Sequence, residues 1–292
     1  MKTGYIILVL VLSFLLVSCG EAAQRGKDIN YKQGILDIEV SSLGQKEEYQ
    51  GQQLELPVSV HNALAYGIEN VLVYVTGFDN YYVELYSDEE QLASLEGKSI
   101  FNSDGGKERI QFSGLLNQLL PGAEKEEQNY RIQVKYDSKV EFTPTICVTS
   151  DLGLGEYGMY QGACTVEREL SYPGQGAPLA VTKLEVIPRG GSGIELRMDI
   201  ENKGKGMVDT VALVTASLGG KPLNCIFKGG EAQTGSLFSL DAQQKSARLI
   251  CTGSLASESP YTTNLQVELW YDYEITQKET LTILGDTTGL IS

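Results

Sequence analysis

Two stretches, LELPVSVHNALAYGIENVLVYV at residues 54–75 and IELRMDIENKGKGMVDTVALVT at residues 194–215, repeat one pattern. Each begins with apolar residues at every second position, reaches an asparagine, and enters a second apolar run after a short polar connection. Asn62 aligns with Asn202, 140 residues later, and the alternating apolar positions then coincide. The pattern indicates that one structural unit occurs twice in the chain.

A second pair of stretches repeats in the same order. RIQVKYDSKVEFTPTICV at residues 131–148 corresponds to VELWYDYEITQKETLTIL at residues 267–284, with Tyr136-Asp137 aligned to Tyr271-Asp272. The offset here is 135 residues, and a loop shortened by five residues would account for the change. Chance similarity between β-patterned sequences is the alternative. The shared order of the two blocks favours a duplicated domain.

Alternation with a period of two places apolar side chains on one face of an antiparallel strand and polar side chains on the other. Pro57 in the first stretch favours an edge strand or a strand start. Gly-rich breaks separate the runs, as at residues 190–191, 204–206 and 219–220. We therefore predict an all-β fold with two tandem Ig-like antiparallel β-sandwiches after an N-terminal signal or anchor helix.

The N-terminus holds the only strongly apolar segment, residues 5–18. It is shorter than the roughly 20 residues of a membrane-spanning helix, and Lys2 in front matches a secretory signal peptide. The junction Leu16-Val17-Ser18-Cys19 resembles the lipobox of prokaryotic lipoproteins, which implies cleavage before Cys19 and attachment of a lipid to its thiol. An uncleaved signal anchor, with Cys19 incidental, is the alternative. Both readings place the bulk of the chain outside the cytoplasm.

Four cysteines remain when Cys19 is set aside: Cys147, Cys164, Cys225 and Cys251. An even number in an exported protein predicts two disulfides. Of the three connectivities we expect the sequential one, Cys147–Cys164 and Cys225–Cys251, each worth on the order of 3 kcal/mol of stability. A zinc site is disfavoured, because no pair has tight spacing and the single histidine is distant in sequence.

The predicted organisation follows from these features. Its segments are a signal peptide with lipobox or signal anchor (1–19), a tether (20–33), the first Ig-like domain (34–149), a disulfide-stapled linker (150–177), the second Ig-like domain (178–285) and a tail (286–292). The first disulfide would join the last strand of the first domain to the linker and restrict movement between the domains.

Composition argues against several functions. A formal net charge of −15 repels phosphate backbones, so nucleic acid is not an expected partner. The single histidine, His61, is the only histidine available as a general base, and the sequence lacks a Gly-x-Ser-x-Gly elbow. Residues 87–90 and 102–104 carry clustered oxygen ligands but lack calcium-loop spacing, so solvated loop tips are the better reading. We predict no enzyme, no cofactor and no bound metal.

Aromatic residues offer candidates for a contact surface. The chain has 16 tyrosines, with one cluster at Tyr81-Tyr82 and another at Tyr157 and Tyr160. Exposed tyrosines supply binding area at low entropic cost. Trp270 could anchor an interface. Packing within strands and loops is the alternative for all of them.

The region from Cys147 to Leu284 resembles the tandem Ig-like domains of exported archaeal proteins, especially those of small-genome lineages. The similarity is carried by SYPGQGAPLAVTKLEVIP, IENKGKGMV and RLICTGSL, at residues 171–188, 200–208 and 248–255. It implies a β-sandwich fold, an extracellular location and paired cysteines. It implies no activity.

These observations predict a membrane-tethered, extracytoplasmic β-sandwich protein of the cell envelope with a structural, adhesive or binding role. Its expected partners are the membrane, through the N-terminal lipid or anchor, and an envelope protein or glycan. An accessory carbohydrate- or solute-binding protein, with or without calcium, is the alternative. A subunit of a surface filament is a further one.

Replacement of Cys19 by serine tests the anchor. If a lipid is attached there, the Cys19→Ser form loses its membrane attachment or is mislocalised, as seen by cell fractionation and intact mass. If the variant stays in the membrane fraction at the precursor mass of the unmutated protein, residues 1–19 are an uncleaved signal anchor.

Overall fold

The computed structural model describes residues 32–150, 164–228, 237–240 and 245–285, and these residues form β-strands, turns and irregular segments. The all-β, sandwich-like class predicted from the sequence is confirmed. The predicted N-terminal helix lies outside the described residues. The strands are β1 (Glu39–Ser42), β2 (Glu47–Tyr49), β3 (Gln53–His61), β4 (Ile68–Thr76), β5 (Val83–Leu85), β6 (Glu89–Leu95), β7 (Lys107–Leu116), β8 (Lys125–Phe142), β9 (Thr145–Val148), β10 (Glu169–Ser171), β11 (Leu179–Gly190), β12 (Gly193–Asn202), β13 (Met207–Leu218), β14 (Lys221–Pro222), β15 (Asn224–Lys228), β16 (Leu237–Ser239), β17 (Ser246–Ser254) and β18 (Tyr261–Leu284).

Three sheets bury their apolar faces in one continuous core. The first half contributes a four-stranded sheet in the order β1-β3-β7-β5, and the second half a five-stranded sheet in the order β10-β11-β12-β17-β15. The third sheet has nine strands and takes β2, β4, β6, β8 and β9 from the first half and β13, β14, β16 and β18 from the second. Each half therefore has its own outer sheet, and both share the large one.

The two halves are joined by an antiparallel ladder between β8 and β18 that extends from the pair Phe142–Val267 to the pair Lys125–Leu284. Asp137 lies directly opposite Asp272, its counterpart in the aligned repeats. Corresponding residues meet in this way only where a pseudo-two-fold axis passes between the strands. The domain boundaries predicted from the sequence stay a prediction, but the shared sheet shows that strands of both halves form one structural body.

Tyrosines fill the core beneath this ladder. Tyr136 and Tyr273 lie opposite each other with ring centroids 5.4 Å apart, and Tyr271 meets Tyr273 edge to face. The Tyr273 hydroxyl donates to Asp37 Oδ2 at 2.9 Å and accepts from the Gly206 amide at 2.7 Å. Burial raises the pKa of all three phenols, which keeps them protonated and uncharged in the core.

The aligned asparagines make the same bonds in each half, which supports the duplication. Asn62 Oδ1 accepts from the amide two residues later and Nδ2 donates to the carbonyl of Tyr66, four residues later. Asn202 accepts and donates at the same spacings, to the Gly204 amide and the Gly206 carbonyl. Asn62 is fully buried, and its Nδ2 also lies within hydrogen-bond distance of the Leu95 and Glu96 carbonyls.

Pro57 marks neither an edge strand nor a strand start, because β3 lies between β1 and β7 and begins at Gln53. The carbonyl of Pro57 accepts from the Leu43 amide on the β1 side, just past Ser42, the last residue of β1 paired with β3. In an antiparallel ladder the nitrogen of a residue points to the same side as its carbonyl. The missing N–H of the proline therefore falls where the pairing with β1 has ended.

Two disulfides link Cys147 to Cys164 and Cys225 to Cys251, the sequential pairs favoured by the sequence. Cys225 and Cys251 face each other across β15 and β17. Structural disulfides persist in oxidising compartments, which places the folded chain outside the cytoplasm.

Among the described residues, no helix has the length and apolar character needed to cross a membrane. Cys19 lies outside the described residues, so the lipid-anchor hypothesis stays a prediction.

Substitution of the two asparagines by alanine tests their unequal burial. Asn62→Ala leaves one buried amide and up to three buried carbonyls without their hydrogen-bond partner. We therefore expect the free energy of unfolding to fall by about 3 kcal/mol. Asn202→Ala, at a half-buried turn with two such bonds, should cost about 1 kcal/mol. Urea unfolding of both variants measures the difference. Equal losses would contradict the role assigned to Asn62.

Candidate binding cleft

A cleft opens in the first half where the chain leaves one sheet, visits the other and returns. After β4, residues 77–82 cross from the nine-stranded sheet to the four-stranded sheet, where β5 pairs with β7. Residues 86–88 then cross back to β6, which pairs with β4. The two crossings and the ends of β4 and β5 enclose a volume of about 550 Å³.

The second half makes the same excursion by a different connection: β15 pairs with β17 in the outer sheet and β16 returns to pair with β13, but a tight turn comes first. At the offset of 140 residues, the end of β4 corresponds to the end of β13, where Leu218 pairs with Lys221 across a two-residue hairpin. Gly219 and Gly220 both have positive φ, 57° and 78°, which a type I′ hairpin turn requires at its two central positions. The two repeats therefore share the excursion and differ in the connection that leads into it.

The floor of the cleft is apolar. Val75 and Val83 are buried, and Phe78 stacks on Tyr130 with ring centroids 4.6 Å apart. Gly77, at φ 98°, turns the chain out of the sheet, and a Cβ there would lie only 3.2 Å from the Asn129 carbonyl oxygen. The crossing therefore starts from a backbone conformation that favours glycine.

Asp79 holds the crossing segment in one conformation. Its carbonyl accepts from the amides of Tyr82 and Val83, and its Oδ1 accepts from the Tyr81 amide at 2.9 Å. Its own amide donates to Gln128 Oε1 at 2.9 Å. A local network of this kind fixes a loop without a ligand, so the cleft is formed in advance.

One exposed aromatic ring, that of Tyr86, belongs to the described lining of the cleft, and two more aromatic rings lie in the adjoining crossing segment. Tyr86 is 69% exposed, although its amide donates to the Ser113 carbonyl and fixes its backbone. Tyr81 and Tyr82 pack edge to face at 4.9 Å. Partial desolvation, with nearby Glu126, raises the pKa of the Tyr82 phenol, which stays a hydrogen-bond donor at neutral pH.

Polar side chains around the cleft lack partners in the described part of the chain. The side chains of Asn80, Glu84 and Asp88 line the cleft, are exposed, and make no hydrogen bond or ion pair there. The described lining residues include no lysine, arginine or histidine. An apolar floor, an exposed phenol and free amide and carboxylate groups together can hold a ligand that has both an apolar face and hydroxyl groups.

Of the predicted contact residues Tyr157, Tyr160 and Trp270, Trp270 is among the described residues and does not line this cleft. Trp270 is on the outer face of the nine-stranded sheet, 38% exposed, and its Nε1 donates to Glu268 Oε1 at 3.1 Å. Tyr157 and Tyr160 fall outside the described residues. Tyr86 carries no signal in the sequence, whereas Asp88 belongs to the 87–90 cluster of oxygen ligands and the Tyr81-Tyr82 pair is a predicted contact cluster.

The His61 side chain links neighbouring segments of the first half. Its Nδ1 lies 3.0 Å from Glu39 Oε2, and its Nε2 lies 2.6 Å from the Asp104 carbonyl oxygen, so the ring ties β1 and the 102–105 turn to β3. The hydrogen bond to His61 lowers the pKa of Glu39. Within the described ranges, no group of three or more His, Cys, Asp or Glu side chains could hold a metal ion.

Comparison with known proteins gives only distant similarities. No protein-family model matches the chain, and no curated protein matches it. A C-terminal globular domain of oligosaccharyltransferase from Pyrococcus abyssi is 12% identical, with a TM-score of 0.20, 87% of this chain covered and 49% of that one. The chain thus spans about half of that domain's length. A sialic-acid-binding region of a Streptococcus sanguinis adhesin, bound to 3'sLn, is 9% identical, with a TM-score of 0.20, 86% of this chain covered and 78% of that one. Scores this low assign no function.

Proposed function

We propose that this protein is a non-enzymatic binding module of the cell envelope, tethered at its N-terminus, that holds a neutral carbohydrate in the cleft between the two crossings of the first half. The observation that carries the proposal is the combination of the exposed Tyr86 ring with polar side chains that have no protein partner in the described structure.

Carbohydrates suit this arrangement physically. A pyranose ring has an apolar C–H face that stacks on an aromatic ring, and its hydroxyls pair with amides and carboxylates. Tyr86 offers the ring, and Asn80, Glu84 and Asp88 offer the acceptors and donors. The two carboxylates and the absence of basic groups among the described lining residues disfavour sialic and uronic acids, whose charge they would repel.

Binding without catalysis fits the same residues. Glycoside hydrolysis by a carboxyl pair needs one carboxyl group that stays protonated, which burial or a close second carboxylate provides. Glu84 and Asp88 are both open to solvent at the rim of the cleft. Their hydrogen-bonding capacity is therefore better used to hold a sugar than to cleave it.

Tethering at the envelope is the second part of the proposal. Two disulfides support residence in an oxidising compartment. The apolar N-terminal run that ends at Cys19 supports attachment to the membrane. A tethered sandwich that presents a pre-formed cleft would hold a glycan of the same envelope or of a neighbouring surface.

A glycan-binding measurement tests the cleft. Purified full-length protein should bind neutral oligosaccharides on an array, and Tyr86→Ala should weaken the Kd about tenfold through loss of ring stacking worth roughly 1.5 kcal/mol. Tyr49→Ala is the matched control, because Tyr49 is also exposed, at 54%, and does not line the cleft. Calorimetry of the three proteins gives the affinities. Equal affinity of Tyr86→Ala and the unmutated protein, or binding confined to acidic glycans, would refute the proposed site.

A further inference from the structure

Two carboxyl groups of like charge meet at the pseudo-two-fold axis. Asp137 of β8 and Asp272 of β18 are directly opposite in the ladder that joins the two halves. They are corresponding residues of the two repeats, so the duplication itself brings them together. Like charges directly opposite in a sheet destabilise the pairing unless a proton or a cation lies between them.

The first half positions one of these carboxylates. On the β4 side, Glu69 is paired with Asp137, and the Asn70 Nδ2 donates to Asp137 Oδ2 at 2.6 Å. Asn70 has φ 51° and sits in a bulge between Glu69 and Leu72. The bulge directs the amide toward Asp137 and fixes its carboxylate, while Glu69 adds a further negative charge.

The second half supplies the matching surroundings. A bulge in β13 between Val208 and Val211 places Asp209 and Thr210 beside Asp272. The carboxylate of Asp209 disfavours ionisation of Asp272, and the Thr210 hydroxyl, by hydrogen bonding, favours it. Each flanking strand therefore adds one acidic residue, Glu69 on β4 and Asp209 on β13. Together with Asp137 and Asp272 they form an acidic row across four strands.

The lysines on the same face of β8 are engaged with other acids. Lys135 Nζ lies 3.2 Å from Glu274 Oε2, and Lys139 Nζ lies 2.8 Å from Glu141 Oε1. Lys139 also lies 3.9 Å from Glu268 Oε1. These glutamates compete for the lysine charges, so the ammonium groups only partly offset the acidic row that crosses the joint.

We propose that Asp137 and Asp272 form a proton-sensitive clasp between the two halves. Under acidic conditions one proton is shared between the facing carboxyl groups and bonds β8 to β18. When that proton is lost, two like charges face each other and the joint is weakened.

The direction of the pH dependence follows from the surroundings. Desolvation and then Asp137 raise the pKa of Asp272 above its ordinary value of 3.8. At a pH between the unfolded-state and folded-state pKa of Asp272, the native state binds more protons than the unfolded state. The contribution of Asp272 to the free energy of unfolding is therefore complete below pH 3.8 and is lost as the pH rises through the folded-state pKa. Asp272 is exposed, so solvent screening keeps the effect modest.

Thermal unfolding of Asp272→Asn tests the clasp. The amide is nearly isosteric with a protonated carboxyl group and can donate to Asp137 at any pH. We expect its Tm to exceed that of the unmutated full-length protein by about 2 °C at pH 7.5, with the difference shrinking toward pH 4. The partners of Glu141, Glu195 and Glu201 lower the pKa values of these residues, so their contribution to stability is lost as the pH falls. This effect is the same in the variant and the unmutated protein, so it cancels when their Tm values are compared at the same pH.

Two further variants make the result decisive. Asp104→Asn changes an exposed aspartate away from the joint and should leave the Tm difference independent of pH. The double variant Asp137→Asn, Asp272→Asn should gain no more in Tm than Asp272→Asn alone, because either substitution removes the same repulsion. A lower Tm of Asp272→Asn at pH 7.5, a Tm difference that is the same at pH 7.5 and pH 4, or additive gains would overturn the clasp.

Discussion

The ladder between β8 and β18 is the interaction on which the rest of the structure depends. It runs without a register break along the full length of β8, and β18 also pairs with β13, β9 and β2. The inward side chains of the two strands, among them Val134, Tyr136, Leu269 and Tyr271, belong to the single core that both halves share. Each repeat by itself would leave a long strand edge open, and pairing of the two edges removes that exposure.

The proposed site lies beside a connection that differs between the two repeats. The repeats keep the same strand pattern and the same asparagine turns at Asn62 and Asn202. In both repeats the chain visits the outer sheet and returns, through β5 and β6 in the first and through β15 and β16 in the second, and the second repeat turns first through Gly219 and Gly220. A rigid scaffold that carries one variable connection is a common way to place a binding site on a β-sandwich.

The sequence predicted the strands well because alternation reports which face of a strand is buried. Residues 131–142 alternate as expected, whereas residues 56–60 of β3 are all buried, and the even number of cysteines indicated the two disulfides. Alternation says nothing about which strand edges pair, so the joint through Asp137 and Asp272 could not be foreseen, and Pro57, expected at an edge strand or a strand start, lies in the middle of the central strand β3. The cleft was missed for a similar reason, because Tyr86 becomes part of a site only when two loops cross between sheets.

Native-state hydrogen exchange tests the central claim that the halves form one cooperative body. Leu196, fully buried in β12 of the second half, can be truncated to alanine, which should cost about 3 kcal/mol. If β8 and β18 couple the halves, the slowest-exchanging amides of β3, in the first half, lose protection by the same free energy as those of β12. Unchanged protection in β3 beside a loss in β12 would show two independently unfolding halves and contradict the account.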